Sequence, residues 1–284
     1  MKKTALTGGM LCLLILFISM SSQTIFIKAV TADNATVVYT SEYLELYPDE
    51  HDRASEINYE IFMHMYNYGD FSYLLNSYSP SSNTVGSVAD SCEDNYDYTA
   101  VLYYGHGQNE WCGTNLHHYL MVSDTEKITD RFTLYGNTSQ SEHDFVFLWA
   151  CKTGNQRGYW CSGCSKPYGF PYTWLYDSYQ SSDGYDSPDT DDEVFLGWYM
   201  GSPGYTNSTG YSSFDYGHFI EKFYYYILSD NQSVIQALNS ATDDTIGDDS
   251  FNVTDIHIDN DGIDVHGYTT WLVVYGNGNK GLPT

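Results

Sequence analysis

The sequence predicts an α/β protein built on a doubly wound, mostly parallel sheet flanked by helices. Three observations predict it. The runs "TAVLYYG" (99–105), "DFVFLWA" (144–150) and "EVFLGWYM" (193–200) are apolar at nearly every position, as strands covered on both faces require. Segments with helical spacing lie between and around them. Strands alternating with helices imply crossovers within a parallel sheet.

Residues 1–32 read as a secretory leader. Lys2 and Lys3 precede an apolar core from Met10 to Met20, and small residues follow, with cleavage at Ala29 or Ala32. The core is shorter than the roughly 20 residues of a membrane span, so the reading is a cleaved leader and a secreted chain with no membrane contact thereafter. Residues 33–284 then form one domain, because no repeat or linker divides them. "ATVVYT" (35–40) is the first strand by its β-branched residues. Residues 49–67 read as a helix, with acidic residues in the first turn and Ile57, Ile61, Phe62 and Met65 at helical spacing. Residues 68–97 read as loop around "NSYSPSSNTVGS", and 116–132 as helix and turn. Residues 214–230 form a helix with Phe219, Ile220, Phe223, Tyr224 and Ile227 on one face, which 231–244 continue or restart. "YTTWLVVYG" (268–276) is the last strand.

Charge narrows the partners. The formal net charge is −26, from 11 Lys and Arg against 37 Asp and Glu. Such a surface repels nucleic acid and anionic membrane and draws cationic peptides. With 42% hydrophobic residues and 29 tyrosines the chain has ample core, which excludes a disordered class. Sequons begin at Asn34, Asn137, Asn207, Asn231 and Asn252, and in a glycosylated secreted chain they fall in surface loops. Oligomeric state is not legible in the sequence.

Cys12 leaves with the leader. Cys92, Cys112, Cys151, Cys161 and Cys164 remain, an odd number for an oxidising compartment. Cys151 closes an apolar run, whereas the other four lie in polar, Gly- and Ser-rich stretches. The expectation is two disulfides among Cys92, Cys112, Cys161 and Cys164, with the pairing open and Cys151 free.

Two apolar strands therefore end in reactive residues: one runs into Gly105-His106-Gly107, the other into Cys151. The chain between them has room for a helical crossover. As parallel neighbours they would place both residues at the carboxyl edge, where open α/β sheets bind ligands. A cysteine there needs a base, because the thiolate is the nucleophile, and an imidazole supplies one. Gly107 lets backbone approach a substrate closely, and its N–H and that of Cys151 can hold an oxyanion.

A strand ending in His-Gly, followed by a strand ending in Ala-Cys, resembles the caspase-like cysteine peptidases. "YYGHGQNEW" and "FLWACKTGN" are most similar to the gingipain-type branch. By that resemblance His106 is the general base and acid, Cys151 the nucleophile, and the N–H groups of Gly107 and Cys151 the oxyanion hole, with no aspartate in the dyad. Two positions depart from the caspase branch and its aspartate specificity, though not from the broader group. Trp149 replaces the glutamine before Ala-Cys, and the following glycine is delayed to Gly154. No metal or cofactor is implied.

Other signals are weaker. The acidic run 183–193 reads as a solvated loop; as a pocket wall it would favour Arg or Lys before the scissile bond. "WCSGC" (160–164) has the Cys-x-x-C spacing of a redox motif, but Pro167 and Pro171 block the helix such a motif needs. Asp259, Asp261 and Asp264 make only a partial calcium loop, and the adjacent His117 and His118 cannot face one metal. The competing functional class is a secreted surface glycoprotein that keeps the fold without the activity. An amidase or transpeptidase with the same thioester chemistry is a third.

Overall fold

The chain alternates strands and helices in the order the apolar runs imply. The structure is a computed structural model that describes residues 23–28, 33–43, 47–113, 115–130, 134, 143–154, 160–161, 166–167, 169–174, 193–206, 215–246, 252–254, 257–259, 263–265, 268–270 and 272–284. Strands β1 (Gln23–Ile27) and β2 (Asn34–Thr40) precede helix α1 (Pro48–Tyr68). Strand β3 (Tyr73–Tyr78), helix α2 (Ser82–Asn95) and strand β4 (Tyr98–Tyr104) follow. Next come β5 (His106–Cys112), β6 (Asn115–Met121) and β7 (Lys127–Thr129), which form a small antiparallel sheet, and then β8 (Phe145–Trp149). The pair β9 (Trp160–Cys161) and β10 (Lys166–Pro167) leads to a short α3 (Phe170–Trp174) and β11 (Val194–Trp198). Helices α4 (Tyr216–Ser229) and α5 (Val234–Ile246) precede β12 (Asn252–Thr254), β13 (His257–Asp259), β14 (Ile263–Val265), β15 (Tyr268–Thr270) and β16 (Leu272–Gly276).

The main sheet has the order β1-β3-β2-β4-β8-β11-β16-β13-β12. Its central run β3-β2-β4-β8-β11 is parallel, and antiparallel strands are added at both edges. The chain grows to one side of β2 for β3 and to the other for β4, so the gap between β2 and β4 is the switch point of a doubly wound sheet. Alternate residues serve opposite faces. Phe145, Phe147 and Trp149 join the core beneath α1, α4 and α5, whereas Val146, Leu148 and Ala150 join the core beneath α2 and α3. Both faces are buried, which is why these strands read as unbroken apolar runs.

Three expectations change, and one segment of the leader takes a place in the sheet. Residues 68–97 are not loop: they hold β3 and α2. Ser81 caps α2 by accepting from Thr84 N–H at 3.1 Å, and Val85, Ala89 and Cys92 bury a stripe at helical spacing that the Ser- and Gly-rich composition disguises. Residues 116–132 contain strands rather than a helix, so the crossover from β4 to β8 carries a three-stranded sheet among the described residues. Gln23–Ile27, assigned above to the leader, pairs antiparallel with β3 as an edge strand; cleavage at Ala29 or Ala32 would remove it. Asn34 is not in a surface loop: it opens β2, and its Nδ2 donates to Asp70 O at 2.8 Å. Among the described residues no helix is long and apolar enough to cross a membrane.

His118 and His143 are buried on the second face. Burial holds His118 down to about 4 from its ordinary 6.5, against the opposing pull of Asp130, and holds His143 down to about 3. Both stay neutral in the fold, whereas in the unfolded chain they take up protons below about 6.5. The unfolded state therefore binds more protons as pH falls, and their stabilisation is lost from near 6.5 down through the folded values.

Two outcomes are expected. Ser81→Ala removes the α2 cap and lowers the urea-unfolding free energy by about 1 kcal/mol. Unfolding free energy measured from pH 7 to pH 4 falls by on the order of a few kcal/mol, and His143→Phe makes that fall shallower.

Candidate active site

Four parallel strands, β2, β4, β8 and β11, deliver their carboxyl ends to one edge. The register keeps them level: Thr40 pairs with Tyr104, and Tyr104 with Trp149. Beyond Tyr104 the chain must leave the sheet between close neighbours, and two glycines let it. Gly105 N–H donates to Trp149 O at 3.2 Å, and a Cβ at Gly105 would meet Ser41 Cβ at 2.7 Å. A Cβ at Gly107 would overlap the carbonyl oxygen of Cys151. Neither glycine has a positive φ, so the requirement is room rather than backbone freedom. Gly107 thus lies directly against the Cys151 backbone, and the sequence flanking His106 is explained by that contact.

His106 begins β5 and is half-buried. Its ring meets Tyr43 edge-on with centroids 5.0 Å apart and Tyr47 at 5.6 Å. Tyr43 is held where β2 ends: its N–H donates to Val122 O at 3.0 Å, with Ser41 Oγ at 3.2 Å. These tyrosines escaped the sequence reading. The usable signal is that they directly follow a strand ending on the same edge as β4.

Cys151 follows β8 and is half-buried. The chain turns sharply after it. Lys152 has a left-handed φ of 65°, and its N–H donates to Met200 O at 2.6 Å. A lysine in that region stores roughly 1 kcal/mol or more of strain, which persists only where the surroundings over-determine it. Here Thr153 supplies the constraint: Oγ1 donates to Leu148 O and Ala150 O, each at 2.9 Å, and accepts from Trp198 N–H at 3.1 Å. The turn is thereby clamped to β11. From the loop after β11, Ser202 N–H points at Cys151 Sγ at 3.2 Å, with Ser202 Oγ 3.5 Å from the sulfur. Ser202 too escaped the sequence reading, because nothing local ties it to Cys151.

The structure thus brings His106, Gly107 and Cys151 to one edge. It corrects the disulfide expectation for Cys92, which is not in a polar loop but on the buried face of α2, unpaired. Burial, with Glu93 second, pushes its thiol up to about 12. Cys112 is half-buried at the end of β5. Cys164 and the side chain of Cys161 lie outside the described residues, as does the acidic run before Glu193. His117 and His118 are buried, and both engage Asp130, through His117 Nδ1 at 3.3 Å and His118 N–H at 3.2 Å. Among the described residues no group of three or more His, Cys, Asp or Glu side chains is arranged to hold a metal ion.

No protein-family model matches the sequence, and no curated protein matches it. Among solved structures the chain is similar to caspase-1 from Spodoptera frugiperda, at 11% identity and a TM-score of 0.44, over 89% of this chain and 90% of that one. That structure is a caspase and lends the gingipain-type branch no support. So distant a likeness assigns no activity, and the chemistry rests on the residues themselves.

Gly107→Ala is expected to force the β4 and β8 ends apart. It should lower stability by roughly 1–3 kcal/mol, read as a drop in thermal midpoint, because backbone rather than a flexible side chain meets the added methyl.

Proposed function

We propose that the protein is a secreted cysteine endopeptidase working through a His106–Cys151 dyad. The observation that carries this reading is the contact of Gly107 with the Cys151 backbone, which joins the two strand ends beside the switch point. Secretion rests on the leader read in residues 1–32. The excess of acidic residues suits peptides with Arg or Lys before the scissile bond.

In this mechanism His106 accepts the proton of the Cys151 thiol, and the thiolate attacks the peptide carbonyl carbon. The carbonyl oxygen becomes an oxyanion, which accepts hydrogen bonds from the N–H groups of Gly107 and Cys151. Collapse breaks the C–N bond, and the leaving amine takes its proton from His106. The acyl group remains on sulfur as a thioester. His106 then takes a proton from water, hydroxide adds to the thioester carbonyl, and the carboxylic acid departs as sulfur regains its proton. The Tyr43 and Tyr47 rings pack against the imidazole and restrict its orientation.

Iodoacetamide labelling of the folded protein at about pH 6, read by mass, tests the dyad. Ordinary thiols are mostly protonated there, and buried Cys92 stays silent. Rapid modification at Cys151, at least about tenfold slower in His106→Ala, is expected. Modification of Cys151 only after denaturation would instead make it a structural thiol and the protein a non-enzymatic one.

A further inference from the structure

Glu50 lies in the first turn of α1, where the sequence reads it only as a charge favourable to the helix end. In the structure it is 8% exposed. Its carboxylate accepts from the Tyr104 hydroxyl, from Tyr205 N–H at 2.5 Å, from Thr206 N–H at 2.9 Å and from the Thr206 hydroxyl at 2.5 Å. A carboxylate has about four acceptor positions, so this one is saturated. Three of the donors come from one short loop beyond β11, and the fourth comes from the end of β4, two residues before His106.

That loop is the one carrying Ser202. Other contacts also fix its course: Trp149 Nε1 donates to Pro203 O at 2.8 Å, Tyr205 N–H also reaches the Tyr104 hydroxyl at 3.2 Å, and the Tyr205 ring stacks on Tyr104 with centroids 3.8 Å apart and meets Trp149 at 5.3 Å. Gly204 passes so near the carboxylate that a Cβ would sit 2.9 Å from Glu50 Oε2. Immediately before these residues, Ser202 N–H meets Cys151 Sγ. A backbone N–H aimed at sulfur favours thiolate over thiol, because only the anion is a strong acceptor. A buried carboxylate is a poor device for stability alone, since apolar packing serves as well without the loss of hydration.

We propose that Glu50 is a positioning residue for the nucleophile: by gripping residues 204–206 it holds the Ser202 N–H against Cys151 Sγ and so raises the thiolate fraction. The proposal rests on the peptidase reading above. Titratable groups around the two ends of this linkage include Lys152, next to Cys151 in the chain, and Tyr104, Tyr205 and Tyr224 at the Glu50 end. Burial keeps the Tyr104 hydroxyl protonated far above its ordinary 10, so it remains a donor to Glu50 throughout the working range.

The test is the pH profile of Cys151 alkylation by iodoacetamide in the full chain. Glu50→Gln replaces one acceptor oxygen by an amide that faces donors. It should move the midpoint up by about half to one pH unit and slow labelling at pH 6 by roughly three- to tenfold. Glu221→Gln, which alters a half-buried α4 carboxylate bonded to His64 of α1, should leave the midpoint in place. If Glu50→Gln fails to fold, judged by labelling of Cys92, then Tyr104→Phe and Thr206→Val each delete one donor and should shift the midpoint the same way by less. A folded Glu50→Gln with the wild-type midpoint, or an unmoved midpoint in both single-donor variants, overturns the proposal and leaves the peptidase reading standing. A wild-type Cys151 that does not react in the folded protein overturns both.

Discussion

The site depends on one place where two backbones touch. Residue 107 has no side chain, so the strand carrying His106 passes directly over the carbonyl of Cys151. Any larger residue would hold the two strand ends apart by the width of a methyl group. The parallel register of β4 and β8 brings those ends level, and the glycine closes the remaining distance. Everything chemical at this edge is arranged around that contact.

Around it the structure uses polar groups where a core would normally be apolar. Thr153 is fully buried and stitches the turn after Cys151 to both β8 and β11. Glu50 is gathered from solvent and surrounded by donors. Buried polar groups are costly unless satisfied, and here nearly every lone pair is used. In exchange the irregular turns at the strand ends have fixed positions, including the left-handed Lys152. Trp149 serves both layers of this scheme: its ring packs against Trp198 and Tyr205, while its indole N–H holds the Pro203 carbonyl.

The crossover between β4 and β8 has a second consequence. Among its described residues it carries a small antiparallel sheet whose first residue is His106. The histidine is thus the hinge between two sheets, backed by Met121 across the ladder and flanked by aromatic rings from Tyr43, just past β2, and Tyr47, at the start of α1. The same small sheet buries His117 and His118, and the buried His118 makes it sensitive to acid.

Local pattern by itself determined the central strands β2, β4, β8 and β11 and the helices α1 and α4, because burial on one or both faces writes a period directly into adjacent residues. It also singled out His106 and Cys151, each of which ends an apolar run, and the order of winding sends both run ends to one edge. Helix α2 stayed hidden because serines and a glycine weaken its local propensity, while its stability comes from a buried stripe against the sheet. The β5–β7 sheet stayed hidden because its ladder partners are assigned only by pairing across turns. Cys92 looked like a disulfide residue because composition reports neighbours in sequence, and its burial is a property of neighbours in space. Tyr43, Tyr47, Ser202 and Glu50 were decided by tertiary structure alone. They reach the site from the end of β2, the start of α1 and the loop after β11, and a contact between residues far apart in the chain leaves no trace in the local spacing of either.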